Sequence, residues 1–415
     1  MDASRIDTLN QKAYDILLQN RRHKAGFQYT EPSPESYPYQ WFWDSCFHAI
    51  ILSHFNAEDA KKEIRSLCSR QEGNGLIPHI IYWDEPSPET MRIDGEIDFE
   101  WGTPGTSSML QPPMLAYAVW DVYRRDGDRE FLKEMYPHLY HFYTHLMTDR
   151  DPRRNMLAGI LSPDESGEDD SPRFDRPLSL PPRHSAEENF AKRRELADKN
   201  RTCNFDAPFC MKKFFWVKDV TFNAILVRNL RRMGAIAQEI GRMDEALNFR
   251  RTELNVANAM RDRMLVNGLF WSLFGDDYDK IFVKTWAIFT PLFARILSPE
   301  EAEKLVALHL HDDDAFNTPY SVPTVARHEP SYAPGGNEAG FSWRGPVWMA
   351  ANWFIFKGLV NYGFLEDARR IRDHSALLIE KSGFRENFNP ETGEGLGAKN
   401  FTWGALVIDM FAHDI

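Results

Sequence analysis

Apolar residues recur at three- and four-residue intervals along most of the chain, the spacing that puts them on one face of an α-helix, and strand-like alternation is scarce. The pattern predicts helices near 4–20, 44–55, 57–70, 106–126, 128–149, 218–240, 242–264, 284–296, 299–310, 345–362, 364–382 and 400–413. Many fall in pairs joined by short turns. Asn56 caps one helix, Asp126-Gly127-Asp128 separates two, Gly241 stands before another, and Ser298-Pro299-Glu300-Glu301 opens one with proline in its first turn. Members of a pair differ in character: 345–362 is apolar nearly all round, whereas 57–70 and 364–382 each carry a strongly charged face. A helix apolar on all sides has to be covered on all sides, and an amphipathic one lies at the surface. Alternation of the two describes an all-α, double-layered toroid, an (α/α)6 barrel of six helical hairpins occupying residues 1–415 as one domain. In such a toroid the loops at one end of the inner helices converge on a central pocket.

Two stretches, 72–105 and 151–217, break the helical pattern and are rich in proline, glycine and charge. Structureless loops longer than about 15 residues are uncommon in compact domains unless they cover a functional site. Residues 173–215 are therefore expected to form a lid insertion over the pocket, with an extra helix at 185–200.

Composition narrows the partners. With 43% hydrophobic and 27% charged residues the chain can bury a substantial core, which excludes a disordered or collagen-like protein. The net charge of −12 and the lack of a basic stripe argue against nucleic acid or an anionic membrane surface. The N-terminus is polar throughout and no run of about 18 apolar residues occurs, so neither a signal peptide nor a membrane span is expected, and a cytoplasmic location is. Cys46, Cys68, Cys203 and Cys210 lack metal-type spacing; inert or buried thiols in a reducing cytosol are expected, with no metal and no cofactor. The partner implied is a small molecule, and self-association into a homo-oligomer stays open. The unusual numbers are aromatic: 29 Phe, 14 Tyr and 12 Trp. Such rings fill cores, and they also make flat platforms for the C–H faces of sugars.

Position separates those two uses. Four stretches outside helix interiors concentrate rings, carboxylates and glycines. Tyr37-Pro38-Tyr39-Gln40-Trp41-Phe42-Trp43-Asp44 sets rings beside a carboxylate where a helix begins; the plain alternative is a hydrophobic staple with Asp44 as N-cap. Between Asp164 and Asp170 five of seven residues are acidic, which is either a solvated loop or a crowd able to raise the pKa of its least solvated member. Phe341-Ser342-Trp343-Arg344-Gly345-Pro346-Val347-Trp348, preceded by Asn337 and Glu338, places an arginine between tryptophans at the start of a buried helix, where it needs an anionic partner. Arg385-Glu386-Asn387-Phe388-Asn389-Pro390, with glycines at 393, 395 and 397 and then Trp403, gives a carboxylate on a turn that backbone can approach closely.

The strings WFWDS, ESGEDDSP, FSWRGPVW and ENFNPETGEG, in this order between residues 37 and 404, resemble the signatures of glycoside hydrolase family 63 and, more distantly, the trehalases. Within the family the short chain is similar to the bacterial mannosylglycerate and glucosylglycerate hydrolases. The resemblance implies Asp169 as proton donor and Glu386 as general base, with Gly167 lining the site. It implies sugar contacts at Tyr37, Trp41, Phe42, Trp43 and Asp44, a polar contact at Gln111, and site residues Trp343, Arg344 and Trp348, with Trp403 close by. Tyr82 is a further candidate contact, and the lid is expected to supply a cation for a glycerate carboxylate, with Lys213 and Lys218 as candidates. Ser342 stands where the glycerate hydrolases usually have tyrosine. The implied reaction is hydrolysis of a small α-glycoside with inversion, which needs the two carboxyls roughly 6.5–9.5 Å apart to admit a water. Alternatives are a trehalose- or kojibiose-type α-disaccharide as substrate, a sugar epimerase or isomerase working through paired histidines, and a sugar-binding protein without catalysis.

Overall fold

The computed structural model describes every residue except 1–2, 84–91, 94–95, 98–101, 104, 182, 337–339 and 414, so the expectations for Asn337 and Glu338 lie outside the described residues. Fourteen α-helices are present among the described residues, and the chain is mostly helical. Among them none is long and apolar enough to cross a membrane.

The helices sort as the apolar pattern demands. Every residue of Phe42–Leu52 is buried, and so is Met349–Tyr362 from its start through Leu359. Helix Phe42–Leu52 packs on Leu115–Asp126, which packs on Val220–Glu239, then Thr290–Ala294, then Met349–Tyr362, then the 3-10 turn Thr402–Leu406, which returns to Phe42–Leu52. That cycle is a closed ring of apolar segments. Amphipathic partners pack against members of the ring: Ala57–Cys68, Arg129–Thr148, Met243–Met264 and Leu365–Ser382. The caps do their expected work. Asn56 accepts from the Glu58 and Asp59 amides, and Ser298 and Glu301 form a reciprocal capping box.

Where the helices differ from expectation, proline or tertiary contact is the cause. The helix predicted over 106–126 begins at Leu115; Thr106–Ser107 is a strand, and the intervening run, which contains Pro112-Pro113, is irregular. The helix predicted from 345 begins at Met349, because Val347 bridges Phe388 in an antiparallel contact. Short strands that the pattern did not announce gather near the same loops: Gln40–Trp41, Ile80–Ile81, Thr106–Ser107 and Gly102–Thr103 form one sheet, and Arg385–Phe388 pairs with Gly395–Lys399.

The 173–215 stretch holds two helices, Ala186–Thr202, opened by a Ser185/Glu188 capping box, and Ala207–Lys213. The turn between them doubles back and brings Cys203 and Cys210 to a Cα–Cα separation of 6.3 Å, where they form a disulfide. This overturns the expectation of four free thiols. Cys46 and Cys68 are free and buried.

Candidate active site

A cavity of about 760 Å3 opens where these loops meet, and the stretch leading into helix Phe42–Leu52 forms part of its wall. Trp41 occupies the N-cap in extended backbone without a side-chain cap bond, so Asp44 is not the cap but sits inside the first turn. Its carboxylate accepts a 2.6 Å hydrogen bond from Trp403 Nε1, and burial pushes its pKa up to about 6 against the pull of His48. Tyr37, Trp41, Trp43 and Asp44 all line the cavity. Phe42 turns away, fully buried, with its ring 5.2 Å from that of Phe142. Gln111, in the irregular run after the early strands, lines the cavity too and accepts from the Trp43 amide at 3.1 Å.

The acidic run is not a solvated loop. Glu165 is wholly buried against Arg150 at 2.7 Å, and Glu168 pairs with Arg173 at 2.6 Å while accepting from Trp286 Nε1. Asp170 accepts from the amides of Ser342 at 2.6 Å and Trp343 at 2.7 Å, latching the Trp-Arg-Gly-Pro turn to this loop. Asp164 and Asp169 share one cation: Arg193 Nη2 contacts Asp164 and lies 2.7 Å from Asp169 Oδ2. Of these carboxylates Asp169 is the most open, its side chain 37% exposed where it lines the cavity. Burial lifts its pKa to about 6, helped by the Asp170 and Asp164 charges and opposed by Arg193. Gly167, at φ +70°, lies flat on the Trp43 indole; a Cβ there would run into the ring. Gly167→Ala is expected to cost about 1–3 kcal/mol of stability through overpacking and to lower activity by displacing Trp43, read by thermal melting alongside steady-state kinetics. A variant with unchanged Tm and kcat/KM would show that the ring is not held there.

Glu386 comes from the opposite end of the sequence. It sits on strand Arg385–Phe388 at an irregularity in the pairing with Gly395–Lys399, the kind of bulge that re-aims a side chain. Tyr37 Oη donates to its Oε1 at 2.7 Å and the Ala398 amide to its Oε2 at 2.7 Å. Burial raises its pKa, and those two donors favour the ionised form. It lines the same cavity as Asp169. An aromatic wall lines that cavity with them: Trp343 and Trp348 stack at 4.1 Å with planes 6° apart, and Trp403 stands 5.2 Å from Trp348 and 5.0 Å from Trp43.

Other expected residues go elsewhere. Arg344 has its anionic partner, but in Asp175, contacted through both Nη atoms at 2.8 and 2.5 Å; it braces the turn and does not line the cavity. Tyr82 is buried edge-on against Tyr39 and does not line the cavity either. Lys218 Nζ is spent on the Gly275 carbonyl and lies 3.8 Å from the Trp216 ring centre, where burial lowers its pKa to about 7. Lys213 lies over Phe209 and Phe214. Neither lysine lines the cavity; the cation that does is Arg193, on helix Ala186–Thr202, with Asn189 and Phe190 beside it. Phe401 and His79, neither of them expected, are in the lining too. Burial lowers the His79 pKa to about 3, so the ring is neutral at ordinary pH. One set of carboxylates among the described residues, Glu58, Asp126 and Asp128, is close enough to hold a metal, and Lys61 Nζ already lies 2.6–2.8 Å from all three.

The same residues carry a family relationship. The family described as mannosylglycerate hydrolase MGH1-like glycoside hydrolase domain matches residues 37–404. The chain belongs to that family. It is therefore a glycoside hydrolase of family 63. It is 31% identical to the mannosylglycerate hydrolase of Thermus thermophilus over 95% of this chain and 98% of that protein. It is 26% identical to the glucosylglycerate hydrolase of Mycolicibacterium hassiacum over 91% of this chain and 93% of that one. The crystal structure of a family 63 mannosylglycerate hydrolase from Thermus thermophilus in complex with Tris and D-glycerate is similar at a TM-score of 0.85 and 31% identity, covering 98% of this chain and 100% of that one. In family 63 terms, the two ends of the matched segment meet at the cavity, for Tyr37 near its start holds Glu386 near its end.

Proposed function

We propose that this family 63 enzyme hydrolyses a small anionic α-glycoside, mannosylglycerate first and glucosylglycerate second, with inversion at the anomeric carbon. Asp169 is the general acid and Glu386 the general base. The observation that carries this reading is the pairing of two cavity-lining carboxyls of different character: Asp169 with a pKa near 6, Glu386 with two donors favouring its ionised form. A protonated Asp169 delivers its proton to the leaving oxygen as the C1–O bond breaks. Glu386 takes a proton from the water that attacks C1 from the other face. The aromatic wall stacks on the sugar, and Asp44 and Gln111 supply polar contacts at its edge. Arg193, not Lys213 or Lys218, receives the glycerate carboxylate.

The ring of apolar helices supports an (α/α)6 barrel spanning 1–415 as one domain. Helix Ala186–Thr202, which brings Ala186, Glu187, Asn189, Phe190 and Arg193 to the cavity, supports the 173–215 stretch as its cover. A neutral disaccharide such as trehalose or kojibiose offers Arg193 no carboxylate beyond Asp164 and Asp169, which ranks these substrates below the glycerates. Proton NMR of the first product formed from α-mannosylglycerate is expected to show β-mannose before mutarotation. Initial release of α-mannose would overturn inversion, and turnover of trehalose or kojibiose in preference to both glycerates would overturn the substrate assignment.

A further inference from the structure

Helix Ala186–Thr202 presents polar groups to the cavity that have no partner among the described residues. Asn189 is 1% exposed and lines the cavity, and neither its Oδ1 nor its Nδ2 is hydrogen-bonded. Arg193, one helical turn on and on the same face, is 9% exposed and its Nε is likewise unpaired. Its Nη2 is divided between two carboxylates of unequal standing. Asp164 is closely held, with a side chain 9% exposed that also accepts from Ser162 Oγ at 2.5 Å; Asp169 is 37% exposed. A planar carboxylate is the anion that suits a guanidinium fork, and of the two present partners Asp169 is the one free to yield its place.

We propose that a carboxylate on the leaving group takes the Arg193 guanidinium over from Asp169, with Asn189 Nδ2 as a further donor, and that Asp169 takes up a proton from solvent as its ion pair opens. The inference rests on the glycerate reading above. The exchange balances: one anion joins Arg193, one carboxylate at its side becomes neutral, and the single proton moves from solvent to Asp169. That proton is the one later delivered to the glycosidic oxygen as the C1–O bond breaks. The charged and titratable groups facing Asp169 are Arg193 and Glu187 on the helix, Asp164 and Asp170 on its own loop with His79 behind Asp164, and Tyr37, Asp44 and Glu386 on the other walls. Asp170 already accepts from two amides, and Glu386 from Tyr37 and Ala398; the cation in contact with Asp169 is Arg193. Paired with Arg193 and with its pKa near 6, Asp169 in the unliganded enzyme at pH 7 is mostly ionised. A neutral leaving group leaves it so, and the acid is then poor. The charge on the substrate both anchors the leaving group and arms the acid, so Arg193 and Asn189 set specificity in kcat as well as in binding.

The test is calorimetric. Glu386→Gln enzyme, whose slowed turnover lets binding be read before hydrolysis, is titrated at pH 7 with α-mannosylglycerate and with the neutral α-mannosylglycerol, in two buffers of different ionisation enthalpy. Uptake of a large part of one proton per mannosylglycerate, with close to none for mannosylglycerol, is expected. Adding Asp169→Asn should abolish the uptake while binding persists. Binding of mannosylglycerate without proton uptake, or uptake that survives Asp169→Asn, overturns the exchange while leaving the glycerate reading intact. Failure of mannosylglycerate to bind at all overturns that reading, and the exchange with it.

Discussion

Glu386→Gln is expected to lower kcat on α-mannosylglycerate by roughly a hundred- to ten-thousand-fold, the usual worth of a general base, with KM changed little. The side chain is nearly isosteric, so the aromatic wall and the Asp44–Trp403 contact keep their places. What changes is the chemistry of one oxygen. Glu386 accepts at both, from Tyr37 Oη and from the Ala398 amide; a carboxamide keeps the Ala398 bond through its oxygen and reverses the other, its N–H donating to Tyr37 Oη. It also has no basic lone pair for the proton of the attacking water. Because water attack is then limiting, a better leaving group gives no rescue: an aryl α-mannoside should be slowed as much as α-mannosylglycerate. Steady-state kinetics on both substrates checks this. Retention of more than about a tenth of wild-type kcat would remove Glu386 from the role of base.

What the sequence disclosed, and what it withheld, follows from the range of the forces involved. Caps are local, and Asn56 and the Ser298/Glu301 box lie where the pattern put them. The chain of apolar helices was legible because burial on all sides writes itself into composition. The start of helix Leu115–Asp126 was misplaced although Pro112-Pro113 stood in view, because apolar residues on either side of a proline pair continue the same period. The acidic run shows a different limit. Its crowding was visible, but not that Arg150, Arg173 and Arg193 arrive from three separate places to divide it, nor that Asp170 would turn away to clasp Ser342 and Trp343.

The cation that lines the cavity is the most instructive difference from the sequence pattern. The lysines favoured for it, Lys213 and Lys218, stand near aromatic residues, where cation–π contacts within the protein consume them. Arg193 lies in AKRRELADK, a stretch so evenly charged that its few apolar residues mark an inner face only faintly. Its orientation is set when the helix docks and buries Asn189, Arg193, Leu196 and Ala197 together. One signal was available: Asn189, Arg193, Leu196 and Asn200 are spaced for a single helical face, which all four occupy as buried residues.

Asp169→Asn is the counterpart of the Glu386 substitution, and its signature is expected to be the opposite in two respects. With α-mannosylglycerate, whose leaving group is an alkoxide unless protonated, kcat should fall by roughly a hundred- to ten-thousand-fold. With 2,4-dinitrophenyl α-mannoside, whose leaving group departs as a stable anion, the fall should be small, because no proton is needed there. The second difference is in pH. As the proposed acid, Asp169 has to be protonated in order to act, and burial with its acidic neighbours, against the pull of Arg193, lifts its pKa to about 6. Wild-type kcat/KM for mannosylglycerate should therefore be highest on the acid side of that value and fall about tenfold for each pH unit well above it. The asparagine does not titrate, so this descending limb should vanish and leave a low, flat profile down to the pH at which Glu386 protonates. Arg193 works against the acid by pairing with it, so in Arg193→Met the limb should move to higher pH while KM for the anionic substrate rises. A descending limb that persists in Asp169→Asn, or an equal loss of rate on mannosylglycerate and the dinitrophenyl glycoside, would transfer the acid's role to another group.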